Sequence, residues 1–358
     1  MSLSDKFLRD LICEEIDQKG SIALDKFINH CLYNPEYGYY NKNKIIGKDG
    51  DFITSPEISQ MFGELILISF IYQWENSKKP KEFNLIELGP GNGTLMLDML
   101  KTAKKYPNFF SKLNPILFEK SSALKKIQRK LLSEFNCIWV NSFDKINQKP
   151  SFIVANEFLD SFPIKQIVSR NGNWYENVIL HKNRNFYFGI GEKIIDQNLP
   201  NAIPDGKIIE ISMQSDFFFS KLLNLISLNG LSLIIIDYGK ITEDYPIGNT
   251  LQGVRKHKAA SIFDNLGETD ITSLVNFKRL VNKISPNIRV QGPITQKEYL
   301  YNLGIKDLTE KISLILPVNE RRGLLSSFER LVSNKHMGQV FKVLGLSNLN
   351  FSNLPGFN

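Results

Sequence analysis

The chain has 358 residues, 42% hydrophobic and 23% charged, with a net charge of +7. That composition excludes a disordered chain and leaves apolar residues enough for the core of a large α/β domain with insertions. The basic excess is dispersed in small clusters such as Lys78-Lys79-Pro80-Lys81, and no motif that reads RNA or DNA accompanies it, so a nucleic-acid partner is not expected. Three cysteines without CxxC spacing read as reduced thiols, and four scattered histidines offer no metal-ligand pattern.

The opening stretch "MSLSDKFLRDLICEEIDQKG" carries acids early and reads as an amphipathic helix, not as a signal or transit peptide. The longest apolar run, residues 65–72, is too short to span a bilayer. The expectation is a cytoplasmic, bacterial protein without stable membrane insertion. Helical spacing covers 3–18 and 21–32, and a loop rich in glycine and tyrosine covers 34–57. Ser55 is placed to cap a helix over about 57–75, with Pro56 at its first position and Glu57 in its first turn.

From residue 83 short apolar strands alternate with helices. Strands are expected at 83–88, 114–119, 136–140, 151–156 and 231–239, with helices at 94–105, 121–134 and 213–228. That order predicts a parallel sheet covered on both faces. Two stretches interrupt it: a β-meander over 163–191, turning at Asn171-Gly172-Asn173, and a loop-rich segment over 240–287. Two more strands are expected at 287–292 and 338–346.

The first strand runs into "ELGPGNGT". Glycines at 89, 91 and 93 allow a sharp turn and let a ligand approach the backbone. A P-loop needs Gly-Lys-Ser/Thr, which is absent, and a dinucleotide loop needs GxGxxG, whereas here the third glycine comes one position early. Glu87, two residues before the first glycine, repels a pyrophosphate and suits a cationic or amino group. The loop therefore favours S-adenosyl-L-methionine over NAD, with a bare turn as a third reading.

Glu119, at the tip of the second strand, could accept both ribose hydroxyls of a nucleoside, or could simply be a helix-start acid. Asp144 follows the third strand, where an acid could meet an adenine amino group or lie in a solvated turn. The fourth strand ends "VANEFLDSFP". Its Asn156, Glu157 and Asp160 are candidate catalytic residues: two acids suit a guanidinium, and a carboxylate can take the proton lost from a nitrogen nucleophile.

The glycine loop, "GDFITSPEISQMFGELI", "VANEFLDSFPIKQ", "LIIIDYG", "NTLQGVRKHK" and "MGQVFKVL" together resemble the MidA-like methyltransferases, a family that includes the mitochondrial complex I assembly factor with protein-arginine methyltransferase activity. The resemblance spans about residues 20–345. It implies a Rossmann-like class I methyltransferase fold with an N-terminal helical segment (1–80) and a core (81–358) that carries insertions at about 163–205 and 240–287. It implies S-adenosyl-L-methionine at Gly89, Gly91 and Gly93, with Glu119 on the ribose. Asp51, Thr54, Ser55 and Glu57 fall in a motif that would cover the cofactor, and Gln252, Arg255 and His257 in one that would lie near the acceptor.

One stretch departs from the family: Leu266-Gly267-Glu268-Thr269-Asp270 stands where Pro-Gly-x-Ala-Asp is usual. The implied activity is methylation of a protein arginine, on a substrate that could be a respiratory complex I subunit. The alternatives are an assembly factor that binds the cofactor without turnover, and an NAD-dependent oxidoreductase.

Overall fold

The computed structural model describes residues 2–41, 54–196, 199–200, 204–228, 230, 232–242 and 248–357. The chain divides into two compact units. One comprises Met1–Phe52, Leu159–Phe219 and Thr242–Arg279; the other comprises Ile53–Phe158, Ser220–Ile241 and Leu280–Asn358.

The second unit is built on seven strands: β1 (Phe83–Leu88), β2 (Leu113–Phe118), β3 (Ile138–Val140), β4 (Ser151–Asn156), β5 (Ser232–Lys240), β6 (Ile288–Thr295) and β7 (Phe341–Asn348). Their order across the sheet is β6-β7-β5-β4-β1-β2-β3. Neighbours from β3 to β5 are parallel, and β7 alone runs against both β5 and β6. Every residue of β1 and of β4 is buried, as a strand covered on both faces requires.

Chain direction across the sheet reverses between β1 and β4, the two strands that lie side by side at its centre. A crevice at such a reversal, outside the carboxyl ends of the strands, is where open α/β sheets take ligands. This is a Rossmann-like class I fold.

The helices preceding and following β1 bury its flanks. α1 (Ser55–Ile58) and α2 (Gln60–Glu75) precede it, α3 (Thr94–Ala103) follows it, and α4 (Ser122–Leu131) follows β2. The expected single helix over 57–75 is broken. Ser59 takes an extended backbone, with φ −157° and ψ 131°, and its hydroxyl accepts from the Met61 N–H to cap α2. The serine that caps the long helix is therefore Ser59, and Thr54 begins the short α1. An aromatic cluster of Phe70, Trp74, Phe83, Phe109 and Phe152 fills the space beneath, with ring centroids 4.7–6.2 Å apart.

The first unit holds helices Leu3–Lys19 and Leu24–Tyr33, a five-stranded antiparallel sheet and a three-stranded one. The antiparallel meander Lys165–Arg170, Asn173–Lys182 and Asn185–Ile194 turns first at Asn171-Gly172, both at positive φ (49° and 71°). The segment read as loop-rich contains the small sheet, with Gln252–Arg255 at its centre between Lys258–Ala260 and Asp270–Thr272. Asp5 and Arg9, both buried, pair at 2.9 Å and hold the Leu266 N–H and the Phe263 carbonyl, tying the first helix to that insertion. Among the described residues no helix is long and apolar enough to cross a membrane.

Candidate functional site

Seven of the sequence candidates, Glu87, Gly89, Gly91, Gly93, Glu119, Asn156 and Glu157, lie at the carboxyl ends of β1, β2 and β4. The glycine loop leaves β1 with Gly89, Gly91 and Gly93 at φ 63°, 54° and 91°. At Gly89 a Cβ would come 2.5 Å from Phe158 Cδ2, so the turn after β1 and the turn after β4 touch with no room for a side chain. Gly93 is the N-cap of α3, so the helix starts directly from the same loop.

Glu87, the penultimate residue of β1, is buried, and its Oε2 has no hydrogen-bond partner among the described residues. Burial pushes its carboxyl up to about 8; the Met96 backbone N–H opposes the shift, and Asp98 and Glu119 add to it. Asp98 is likewise pushed up to about 7, by burial first. A raised carboxyl pKa means that the folded state prefers the neutral acid. Stability is therefore full below the ordinary carboxylate range and is lost as pH rises through about 8. The ligand-free protein is expected to melt at progressively lower temperature from pH 5 to pH 8, and Glu87→Gln to flatten that slope. Asp98 contributes in the same direction, so the slope shrinks without vanishing. Identical slopes in melts of the two proteins would show that Glu87 is not the titrating group.

Glu119 follows β2 and is buried, which raises its carboxyl; the Ser121 N–H and Gln128 oppose that shift. Its Oε1 accepts from Ser121 N at 2.7 Å and its Oε2 from Gln128 Nε2 at 3.2 Å. Asp144 lies in a 3-10 turn after β3, exposed, with its carboxyl held below the usual range by the Ser142 hydroxyl. It carries full charge at the sheet edge and is not enclosed.

Asn156 ends β4 and Glu157 begins the turn beyond it. Glu157 has φ 49°, a left-handed backbone that a residue with a Cβ adopts at a cost of about 1–2 kcal/mol. Its N–H donates to the Ile236 carbonyl of β5 at 2.9 Å, and Asp237 receives the Phe158 N–H at 3.1 Å and the Tyr238 N–H at 2.8 Å. The strain is thus held by β5. The Glu157 carboxylate accepts from Ser55 N and from Asn156 Nδ2, each at 3.3 Å. Asn156 Oδ1 is buried without a hydrogen-bond partner among the described residues.

α1 spans both sides of the crevice. Its first residue, Ser55, is fully buried and donates its N–H to Glu157. Its third, Glu57, accepts from Asn92 Nδ2 at 3.2 Å and from Thr94 Oγ1 at 2.7 Å in the glycine loop. Thr54 stands at the N-cap, where its carbonyl accepts from Glu57 N and Ile58 N. Asp51 lies outside the described residues.

The other candidates belong to the first unit. The Asp160 carbonyl accepts from Ser273 N at 3.2 Å, and burial raises its carboxyl. Arg255 pairs with Glu268 at 2.7 Å, and Gln252 Nε2 donates to Thr272 Oγ1 at 3.3 Å. His257, exposed, forms the turn between two short strands at φ 60°. Gln128 was not a candidate: it sits in the charged helical stretch "LKKIQRK", where nothing local marks it, yet it is fully buried against the glycine loop.

These residues fit a nucleoside sulfonium. Buried acceptors without donors at Glu87 Oε2 and Asn156 Oδ1 await N–H groups, the glycines leave backbone accessible, and Glu119 offers a carboxylate to a diol. A pyrophosphate would face two buried carboxyl groups here and no lysine of a P-loop.

Residues 65–294 match the family described as "Putative S-adenosyl-L-methionine-dependent methyltransferase". The chain is 30% identical over 377 residues to Protein arginine methyltransferase NDUFAF7, mitochondrial, of Xenopus tropicalis, covering 95% of this chain and 86% of that protein. It is 28% identical over 368 residues to the Homo sapiens protein of that name, covering 93% and 81%. A Burkholderia thailandensis protein solved with S-adenosyl-homocysteine bound superposes with a TM-score of 0.82 at 21% identity, over 98% of this chain and 94% of that one, and so shares the fold. The cytoplasmic expectation is overturned by these relatives, which are mitochondrial proteins by name. The dinucleotide oxidoreductase reading gives way with it, and the chain belongs to the S-adenosyl-L-methionine-dependent methyltransferase family.

Proposed function

We propose that the chain methylates an arginine guanidinium of a protein substrate. The observation that carries this reading is the pair of acceptors at the end of β4: the Glu157 carboxylate beside the unpartnered, buried Asn156 Oδ1. A guanidinium is a planar fork of N–H donors and matches adjacent acceptors better than a point-like ammonium does. The names of the relatives, protein arginine methyltransferases, support the same acceptor.

S-adenosyl-L-methionine supplies a methyl on a positively charged sulfur, open to in-line attack by a nitrogen. The chain's part is positional. Gly89, Gly91 and Gly93 would admit the cofactor to the backbone, Glu87 would meet its amino group, Glu119 would accept from its ribose, and Asp144 would serve the adenine. Thr54 and Ser55, at the head of α1, close over it. Glu157 would orient the acceptor nitrogen and take the proton it loses as the methyl passes from sulfur to nitrogen, with Asn156 beside it; Asp160 is a further candidate acid. Gln252, Arg255 and His257 serve the substrate protein. Bringing two reactants into line in this way removes much of an entropic barrier without a metal.

The proposed acceptor protein is a subunit of respiratory complex I, a reading that the resemblance to the assembly factor supports. The test incubates the protein with methyl-labelled S-adenosyl-L-methionine and mitochondrial extract, then hydrolyses the labelled band. Methylarginine from a complex I subunit is the expected product. Label on lysine or on a carboxyl group overturns the guanidinium reading, and no label with intact cofactor binding favours an assembly factor without turnover.

A further inference from the structure

We infer that Gln128 is a positioning residue that fixes the Glu119 carboxylate for a vicinal diol and so makes the site selective for an intact ribose. The inference rests on the ribose role of Glu119.

Gln128 lies on α4 and is fully buried. Its amide joins three strand ends. Nε2 donates to the Gly91 carbonyl in the loop after β1 at 2.8 Å and to Glu119 Oε2 after β2 at 3.2 Å. Oε1 accepts from Trp139 Nε1 in β3 at 2.9 Å. The indole N–H can only donate, so it selects the amide orientation: the flipped form would set NH₂ against N–H and lose all three bonds. Both N–H donors are used. A leucine would be cheaper to bury, but it would leave a carbonyl, a carboxylate oxygen and an indole N–H unpaired in the interior.

The effect falls on Glu119. Ser121 N on Oε1 and Gln128 Nε2 on Oε2 hold both carboxylate oxygens, and the Lys120 backbone N–H is a further donor to the group. The plane of the group is fixed, and the acceptor capacity it keeps is what neighbouring hydroxyls need. The Ser121 and Lys120 N–H groups and the Gln128 amide oppose the burial that would otherwise neutralise the acid, and an acid that gained a proton would lose an acceptor. Through the Gly91 carbonyl the carboxylate and the glycine loop form one piece.

The experiment is calorimetry with S-adenosylhomocysteine and its 2′-deoxy analogue on the wild type, Gln128→Met, Glu119→Gln and Trp139→Phe. The wild type is expected to prefer the intact ribose. Gln128→Met, close in shape and without hydrogen bonds, is expected to bind S-adenosylhomocysteine about 10-fold more weakly, corresponding to one lost oriented hydrogen bond, and the deoxy analogue nearly as before. Equal weakening for both ligands, or none, would overturn the positioning role, because a merely structural glutamine has no reason to distinguish them. If the wild type itself does not discriminate and Glu119→Gln changes nothing, the ribose reading fails first. If Glu119→Gln loses discrimination and Gln128→Met keeps it, only the present inference fails. Trp139→Phe frees one side of the amide and is expected to lose part of the discrimination; it decides the matter should Gln128→Met not fold.

Discussion

Gly91→Val is expected to abolish measurable S-adenosyl-L-methionine binding in a protein that still folds. Gly91 sits at φ 54° in a half-exposed loop beyond the end of β1. A β-branched residue there pays about 1–2 kcal/mol for the left-handed backbone, which lowers the melting temperature by several degrees against a domain stability of about 5–15 kcal/mol. The consequence for binding is larger. The Gly91 carbonyl is held by Gln128, so the loop cannot turn away to relieve a new side chain without giving up that bond and the Glu119 geometry with it. The valine then occupies the space through which a ligand reaches the backbone. The loss expected in calorimetry is at least about 100-fold, with Gly91→Ala between the two. Unchanged affinity in a folded Gly91→Val protein would remove the loop from the cofactor site.

That loop was the most legible part of the chain, because its information is local. A mostly apolar run, three glycines at alternate positions and the start of a helix lie within about twenty residues. Glu87, Glu119, Asn156 and Glu157 could be picked out for a related reason: each is a polar residue at the end of an apolar strand, and parallel strands deliver their ends to one edge. What the sequence concealed depends on distant partners. β7 inserts between β5 and β6, and nothing in "MGQVFKVLGL" says which neighbours it takes. Gln128 looks like one more surface residue of a charged helix until Trp139 and Gly91 are placed around it. The sequence marks Glu57 only as an acid in a helix's first turn, yet its partners Asn92 and Thr94 lie 35 and 37 residues away. Ser59 is the opposite case: a serine directly before an apolar helix carried a local capping signal, and Pro56 drew attention to Ser55 instead. The strands at Gln252–Arg255 and Lys258–Ala260 are too short for any alternation to stand out from a loop.

Glu157→Gln is expected to keep cofactor affinity within about 2-fold and to lower methyl transfer by about 10²–10⁴. The substitution preserves shape and still offers an oxygen to Ser55 N and Asn156 Nδ2, so α1 and the β4 turn keep their anchors. The backbone strain at φ 49° is unaffected, since it is held from β5 by the Ile236 carbonyl and supported by Asp237. What is lost is the negative charge. A guanidinium faces a neutral amide whose NH₂ group repels its own donors, and the proton released from the nitrogen has no carboxylate to receive it. Affinity for the acceptor peptide and the rate of transfer should therefore fall together, and Glu157→Asp should recover part of the rate if the charge is what matters. A polar residue held in a strained backbone at a strand end is costly to maintain, which is the physical reason to look for its use in the reaction. Single-turnover transfer to the acceptor identified in extract reads the outcome. Wild-type transfer by Glu157→Gln would move the acceptor base elsewhere and leave Glu157 as the residue that docks α1.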